Sequence, residues 1–405
     1  MKILIISNKA PFPSNDGSSI AIGNMALGLK EEGVEVTILS LNTRKHFKSS
    51  KNLNNGFIKD ENYFTVDCNT NPTYIGAFLN LFENQSYFIS RFFVKEFAQK
   101  LIENIRELKP DIIQVEGLSM CVYFKAIREA CTAKIVLRAH NVEYQIWQRH
   151  LLNISNLVQK WYLNLQLKRL IKFEQDIFKE SDAIVAITSE DQKIIQSHTE
   201  KPTQVSLTGI DINQYEMINN ENVVQNSIFH FGSMDWIPNQ EAVDWFLENC
   251  WNRILEFDPN CTFVIAGKNI PNRYRKGQYK NVHVIENVEK AIDIYQKFNI
   301  MIVPLLSGSG LRIKLIEGMS YGKPIVTTSI GAEGINYTSN KELIISNDKD
   351  DFCESICNLL QNVSKRTSLS IHSHEFASTH FDIKKISRNL IAFYKQEFKL
   401  DQSLT

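Results

Sequence analysis

An apolar run, Ile300 to Leu306, leads directly into Ser307-Gly308-Ser309-Gly310 and then into a segment whose apolar residues, Leu311, Leu315, Ile316 and Met319, return at helical spacing. A run without polar alternation has to be covered on both faces, as in a parallel sheet, so this succession predicts a buried strand, a tight turn and a helix. Tyr321-Gly322 closes the helix, and Pro324 to Thr327 reads as the next strand. The glycine loop then falls at a helix N-terminus, where unpaired backbone N–H groups and the positive end of the helix dipole favour an anion. Gly308 and Gly310 let a phosphate approach the backbone closely. Arg312 and Lys314 put two cations in the first turn, against the dipole preference for acids, which makes sense if a diphosphate supplies the compensating charge. Glu317 offers an acceptor for a pair of sugar hydroxyls. An ordinary βα unit with a glycine turn is the plainer alternative.

The N-terminal half repeats the strand–helix alternation of a parallel sheet covered on both faces. Lys2 to Ile6 reads as a first strand rather than a signal peptide, Ile20 to Glu32 as a helix ending at Gly33, and Glu35 to Leu41 as a second strand. Lys45 to Lys59 reads as a mobile surface loop, Ile154 to Ser181 as one long amphipathic helix, and the polar stretch Asn213 to Asn226 as a linker. At 405 residues the chain has room for two domains. Forty-five basic and forty-five acidic residues give no charge bias toward nucleic acid. Seven cysteines without a CxxC pair fit a reducing, cytoplasmic compartment rather than a disulfide framework, and no stretch approaches the roughly 20 apolar residues of a membrane span.

The succession from the small-residue loop through Arg312 to Glu317-Gly-Met-Ser-Tyr-Gly-Lys-Pro-Ile-Val326 resembles the nucleotide-sugar signature of the family 4 retaining glycosyltransferases. The resemblance implies an α/β protein of the GT-B fold, two doubly wound Rossmann-like domains facing each other across a cleft, with a C-terminal helix returning to the first domain. It places an acceptor-side domain at 1–212 with the helix at about 383–399, and a nucleotide-sugar-binding domain at 226–382. In the family, the helix Glu accepts from the ribose, matching Glu317, and the loop backbone holds the diphosphate, matching Gly308, Ser309, Gly310 and Leu311 with Arg312. A second Glu usually stands eight residues before the first, and Ser309 occupies that position here. Many relatives also carry Gly-Arg and a nearby Lys after the first strand of the second domain. Here Gly232-Ser233 begins Gly-Ser-Met-Asp-Trp, and a subgroup pairing that pattern with Gly-Ser-Gly-x-Arg-x-Lys implies that the cations moved to Arg312 and Lys314.

In the first domain, Gly17-Ser18 matches the family's Gly-Gly loop on the acceptor side, although a helix cap at Asp16 or Ser18 would explain it too. Glu116 ends the strand IIQVE at the carboxyl edge of the sheet, where ligands of open parallel sheets bind. His140, after the strand Lys134 to Leu137, matches the family's His near the donor sugar, and Glu174 matches a helix Glu read as structural. The aromatic segment Phe78 to Phe97 reads in two ways: core helices, the favoured reading, or peripheral contact with a membrane or lipid-linked acceptor.

Three lookalikes read as structural. Asp348-Lys-Asp350 suits a helix cap better than a metal site, His372, His374 and His380 flank the C-terminal helix, and Cys353 and Cys357 share a helix face that suits core packing. The activity implied is metal-independent, retaining transfer of a hexose-type sugar from a nucleoside diphosphate sugar to a glycan or lipid-linked acceptor in polysaccharide or glycoconjugate synthesis, with His140, Arg312 and Lys314 at the reacting centre. A GT-B protein that has lost its chemistry and a nucleotide-sugar epimerase are the alternatives.

Overall fold

The computed structural model describes residues 1–14, 17–44, 47–48, 62–152, 154–219, 223–275, 277–288, 290–308 and 310–400. Asp16, Ser309 and most of the loop expected at 45–59 lie outside these residues. The chain divides into two compact units, Met1–Gly209 with Ile383–Thr405, and Ile210–Asp382. The stretch expected as a linker, 213–226, therefore falls in the second unit, where Tyr215 packs on Tyr321 at 4.8 Å between ring centroids.

The first unit is built on a seven-stranded parallel sheet of order β3-β2-β1-β4-β5-β6-β7. Its strands are β1 (Lys2–Ser7), β2 (Glu35–Thr43), β3 (Tyr63–Cys68), β4 (Ile112–Glu116), β5 (Lys134–Ala139), β6 (Ala183–Ala186) and β7 (Thr203–Val205). The apolar run of β1 explains its central position, because alternate side chains enter opposite cores. Ile3 and Ile5 join Ile22, Met25 and Leu29 of α1 (Gly17–Glu31). Leu4 and Ile6 join the other face, covered by Phe97 and Leu101 of the helix Lys95–Leu108 and by Leu170 and Ile177 of the helix Leu157–Glu180.

Taken in chain order, the helices needed below are α1, α2 (Tyr74–Leu79), α3 (Lys95–Leu108), α4 (Glu143–Leu152), α5 (Leu157–Glu180), α6 (Ile237–Phe246), α7 (Ile313–Ser320), α8 (Lys349–Gln361), α9 (Val363–His380) and α10 (Ile383–Phe398). The C-terminal helix α10 lies on α1 in the first unit, its Ile386, Leu390 and Tyr394 buried with the Ile3 and Ile5 face. The helix expected over 154–181 is α5, starting three residues later than expected because Asn156 caps it by accepting from the backbone N–H of Gln159. Glu174 is structural: its carboxylate accepts the N–H groups of Glu143 and Tyr144 at 2.8 and 2.9 Å, satisfying the start of α4. Burial pushes the Glu174 carboxyl up to about 8 against those two bonds.

The second unit has a six-stranded parallel sheet, β10-β9-β8-β11-β12-β13. The strands are β8 (Val224–Ser233), β9 (Thr262–Lys268), β10 (Val282–Glu286), β11 (Phe298–Val303), β12 (Ile325–Thr327) and β13 (Ile344–Ile345). Its core joins Ile228, Phe263, Ile265, Ile300 and Ile302 to Phe246 of α6 and Phe352 and Cys353 of α8, with Cys357 packed against it. Asp348 caps α8 by accepting from the N–H groups of Asp350 and Asp351. His374 Nδ1 lies 2.6 Å from the Ser320 carbonyl, whereas His380 Nδ1 meets the Phe376 carbonyl within its own helix.

The core expectation for Phe78 to Phe97 holds only in part. Phe88, Phe92 and Phe97 pack into the first core, but Phe93 is exposed, as are Phe78, Leu79 and Phe82 in the turn before Tyr87. The physical reason is that this turn docks through a polar residue: buried Asn80 accepts from Gln166 Nε2 at 2.9 Å. No helix among the described residues is long and apolar enough to cross a membrane.

Candidate functional site

Two groups of polar side chains stand at carboxyl ends of the two sheets, each within its own unit. In the second unit, β11 ends at Val303 and the chain enters the glycine loop, with Gly308 at φ 105° and Gly310 at φ 84°. A Cβ at Gly308 would stand 2.8 Å from the Trp236 ring and 3.1 Å from Arg312 Nη2, so glycine is required for backbone angle and for space. The helix α7 begins at Ile313 rather than Leu311, which leaves Arg312 as its N-cap at φ −90°, ψ 97°. Arg312 is therefore not a first-turn residue; its guanidinium turns inward over the Trp236 ring, 5.0 Å from the centroid. Burial lowers its pKa to about 10, against the pull of Glu333, whose carboxylate is 3.8 Å away.

Lys314 projects from the first turn of α7 toward β8. Its ammonium donates to Asn239 Oδ1 at 2.7 Å and stands 3.3 Å from the fully buried His230. Burial first, and the Arg312 charge second, push Lys314 down to about 7. Asn239 Nδ2 in turn donates to the Ser233 carbonyl at 2.7 Å. Gly232 is fixed by this arrangement, because a Cβ there would meet Asn239 Nδ2 at 2.8 Å and Lys314 Nζ at 3.2 Å. One turn further along α7, Glu317 is held by two tyrosines. Tyr215 Oη donates to Oε1 at 3.3 Å, and Tyr295 Oη lies 3.5 Å from Oε2 and 3.1 Å from the Lys314 carbonyl. Burial raises the Glu317 carboxyl to about 7, although both tyrosine bonds oppose the shift.

In the first unit, β4 and β5 deliver Glu116, Arg138 and His140 to neighbouring positions, since Glu116 and Arg138 are paired in the parallel register. His140 Nε2 is 2.6 Å from Glu116 Oε2, and Arg138 Nη1 is 3.1 Å from the same oxygen. An ionised carboxylate only accepts, so Nε2 carries the proton. Burial alone would raise Glu116; Arg138, His140 and Gln114 outweigh it and hold the carboxyl down at about 2. Gln114 Nε2 donates to Glu116 Oε1 at 2.6 Å and Tyr394 Oη donates to Gln114 Oε1 at 2.8 Å, so the histidine is braced from α10. Gly17 and Ser18 open α1.

The structure thus gathers Gly232, Ser233, Gly308, Arg312, Lys314 and Glu317 in the second unit, with Gly310 and Leu311 on the same loop. It brings Glu116 to His140 in the first. Sequence reasoning missed Trp236, Asn239 and His230 as supports of the cations, and Tyr215 and Tyr295 as supports of Glu317. Asn239 opens a polar run, Asn239-Gln240-Glu241, at the start of α6, so nothing in the sequence singles it out. Lys323, read within the signature, is buried and donates to the Phe298 carbonyl at 3.0 Å, a packing role.

Residues 15–214 match the family Glycosyltransferase Family 4, and residues 225–362 match Glycosyl transferases group 1, together most of the chain. The chain belongs to the GT-B glycosyltransferases. This glycosyltransferase is 22% identical over 398 residues, 95% of its own length and 97% of the relative's, to an uncharacterized 44.6 kDa protein in the cps region of Klebsiella pneumoniae. Among solved structures it is similar to sucrose-phosphate synthase from Thermosynechococcus elongatus, with a TM-score of 0.69 at 14% identity, covering 98% of this chain and 99% of that one. HepE from Anabaena, solved in complex with UDP-glucose, gives a TM-score of 0.65 at 13% identity, covering 98% of this chain and 100% of the other. At these identities the solved structures speak to the glycosyltransferase's fold: two Rossmann-like, parallel-sheet domains.

Proposed function

We propose that this glycosyltransferase transfers a hexose-type sugar from a nucleoside diphosphate sugar to a hydroxyl of a glycan or lipid-linked acceptor, with retention and without a metal ion. The observation that carries the reading is the grouping of a glycine loop, two half-dehydrated cations and a tyrosine-braced carboxylate on one strand–helix unit. The loop N–H groups and α7 receive the diphosphate, Arg312 and Lys314 face its charge, and Glu317 accepts from the ribose hydroxyls. As the bond from the sugar carbon to the diphosphate breaks, negative charge grows on the departing phosphate beside these cations, in surroundings where they are already oriented. The acceptor oxygen bonds to the same face of the sugar, and its proton leaves with the diphosphate. In the first unit, Glu116 fixes His140 with its proton on Nε2, which leaves Nδ1 free to accept from a sugar hydroxyl.

The UDP-glucose complex of HepE supports a nucleotide-sugar donor, and the relative in a cps region supports a role in surface polysaccharide synthesis. The seven cysteines, all free thiols, fit a cytoplasmic location. A thermal-shift screen of nucleoside diphosphates and their sugars identifies the base, after which Glu317→Ala should weaken binding of the chosen nucleotide about ten- to a hundredfold. Unchanged affinity in the folded variant rejects the ribose role. Turnover in the presence of a chelator then separates the alternatives. Transfer or donor hydrolysis supports the enzyme, binding without turnover a lapsed relative, and acceptor-free isomerisation an epimerase.

A further inference from the structure

We infer that Arg138 is a positioning residue for His140: its buried charge keeps Nδ1 of the imidazole unprotonated and so able to accept from a sugar hydroxyl. The inference rests on the part proposed for His140 and names the residue that holds the ring in the form this part needs. Arg138 and Glu116 are both fully buried, and Arg138 Nη1 and His140 Nε2 reach the same carboxylate oxygen, Glu116 Oε2, at 3.1 and 2.6 Å. Arg138 Nη1 also lies 3.4 Å from the Ala21 carbonyl, whereas its Nε and Nη2 meet no acceptor among the described residues. The guanidinium charge is therefore balanced at Glu116. The other groups brought to this cluster are neutral. Gln114 of β4 donates to Glu116 Oε1, Tyr394 of α10 donates to Gln114, and Ser7 of β1, paired in register with Glu116, shares a hydrogen bond of 2.7 Å with Ser40 of β2. Burial first, and the Glu116 charge second, push the Tyr394 phenol well above its ordinary value, so it stays a neutral donor.

The charge balance decides the form of the imidazole. Glu116 and Arg138 cancel, and a proton on Nδ1 would set an unmatched positive charge against a dehydrated ion pair. His140 is then neutral, with its one proton on Nε2 toward the carboxylate and a lone pair on Nδ1. Without the guanidinium the buried carboxylate is unmatched, and the Glu116–His140 pair takes up a proton from solvent. That proton has two places to go. On the imidazole it makes a cation with protons on both nitrogens. On the carboxyl it is donated to Nε2, and the single imidazole proton sits on Nδ1. In either case Nδ1 becomes a donor, and the sugar hydroxyl loses its acceptor.

The test reads the ring directly, with no substrate present. In proton–nitrogen correlation spectra of the full-length protein at about pH 7, with the His140 signals assigned by their loss in H140N, the native chain should show a protonated Nε2 and an unprotonated Nδ1. R138M should show a protonated Nδ1. E116Q/R138M removes both buried charges together, and Gln114 can turn its amide over to pair with the new one; this variant should return Nδ1 to the unprotonated form. A residue that only packs would give no such reversal. Turnover with the donor found by the nucleotide screen should follow the same order, at least about tenfold lower in R138M and partly recovered in the double variant. A proton on Nδ1 in the native chain, none in R138M, or one that persists in the double variant would each overturn the inference. The native and double-variant spectra decide it even where R138M alone does not fold. The expected spectra in a chain that turns over no nucleotide sugar would support the placing of Arg138 and count against the proposed transfer alone.

Discussion

The pH dependence of donor binding is set at two neighbouring positions of α7. Lys314 has been pushed down to about 7 and Glu317 up to about 7, each chiefly by burial. A diphosphate favours the charged ammonium, so binding raises the Lys314 pKa and affinity falls as pH climbs above 7. Ribose hydroxyls favour the carboxylate, so binding lowers the Glu317 pKa and affinity falls as pH drops below 7. Nucleotide affinity measured by calorimetry should therefore peak near neutrality, with Lys314→Met losing the alkaline limb and Glu317→Gln the acidic one. Arg312 makes a different prediction. Its guanidinium can take two phosphate oxygens and gains as the leaving group charges, so Arg312→Ala should lower turnover by ~10² or more. Ser233→Arg in that background should restore part of the activity if the cation has merely changed position; wild-type turnover in Arg312→Ala would place the charge elsewhere. The loop glycines, both cations and Glu317 were readable because they share one short stretch. Tyr215 and Tyr295 were not, since each reaches Glu317 from a different part of the chain and neither belongs to a periodic pattern.

Among the elements, α1 and α10 meet more tightly than any pattern in their sequences announces. A Cβ at Gly28 would collide with Ser387 Oγ, and would stand 2.6 Å from Ile383 Cγ1, so this glycine sets the approach of the two helices. Gly28→Ala should cost about 1–3 kcal/mol by overpacking, read as a lower melting temperature of the first unit; an unchanged melting temperature would mean that α10 can shift at no cost. Element positions were legible wherever burial is two-sided, as in β1 and β11, whose uninterrupted apolar runs leave no other covering. The long helix α5 was legible to within three residues of its start, where the Asn156 cap stands, whereas α4 escaped notice. The strand β3 escaped notice too, because at the sheet edge none of its side chains is fully buried, and Thr65 and Asp67 are exposed. The exposed turn at Phe78 to Phe82 was read as core because aromatic content alone does not reveal that its inward residue is Asn80.

For the whole molecule, the division of the chain predicts how it unfolds. The first unit is completed only by the last helix: Ile386, Leu390 and Tyr394 of α10 share a core with Ile3, Ile5 and Met25. The second unit, Ile210–Asp382, contains its own sheet and its own core. The groups assigned to the nucleotide, from Gly232 to Glu317, all belong to it. Calorimetry should then resolve two transitions, of which a saturating nucleoside diphosphate raises only one. At a hundred times its dissociation constant the ligand should add about 2.7 kcal/mol to the unit that binds it. That corresponds to a rise of several degrees for a domain of this size. Ending the chain at Asp382 exposes the α1 face that α10 covers and removes Tyr394 from Gln114. This truncation should abolish the nucleotide-insensitive transition and leave the other with its ligand response intact. A single transition that the nucleotide moves as a whole, or a truncated chain that no longer responds to nucleotide, would show instead that the two units fold and bind as one.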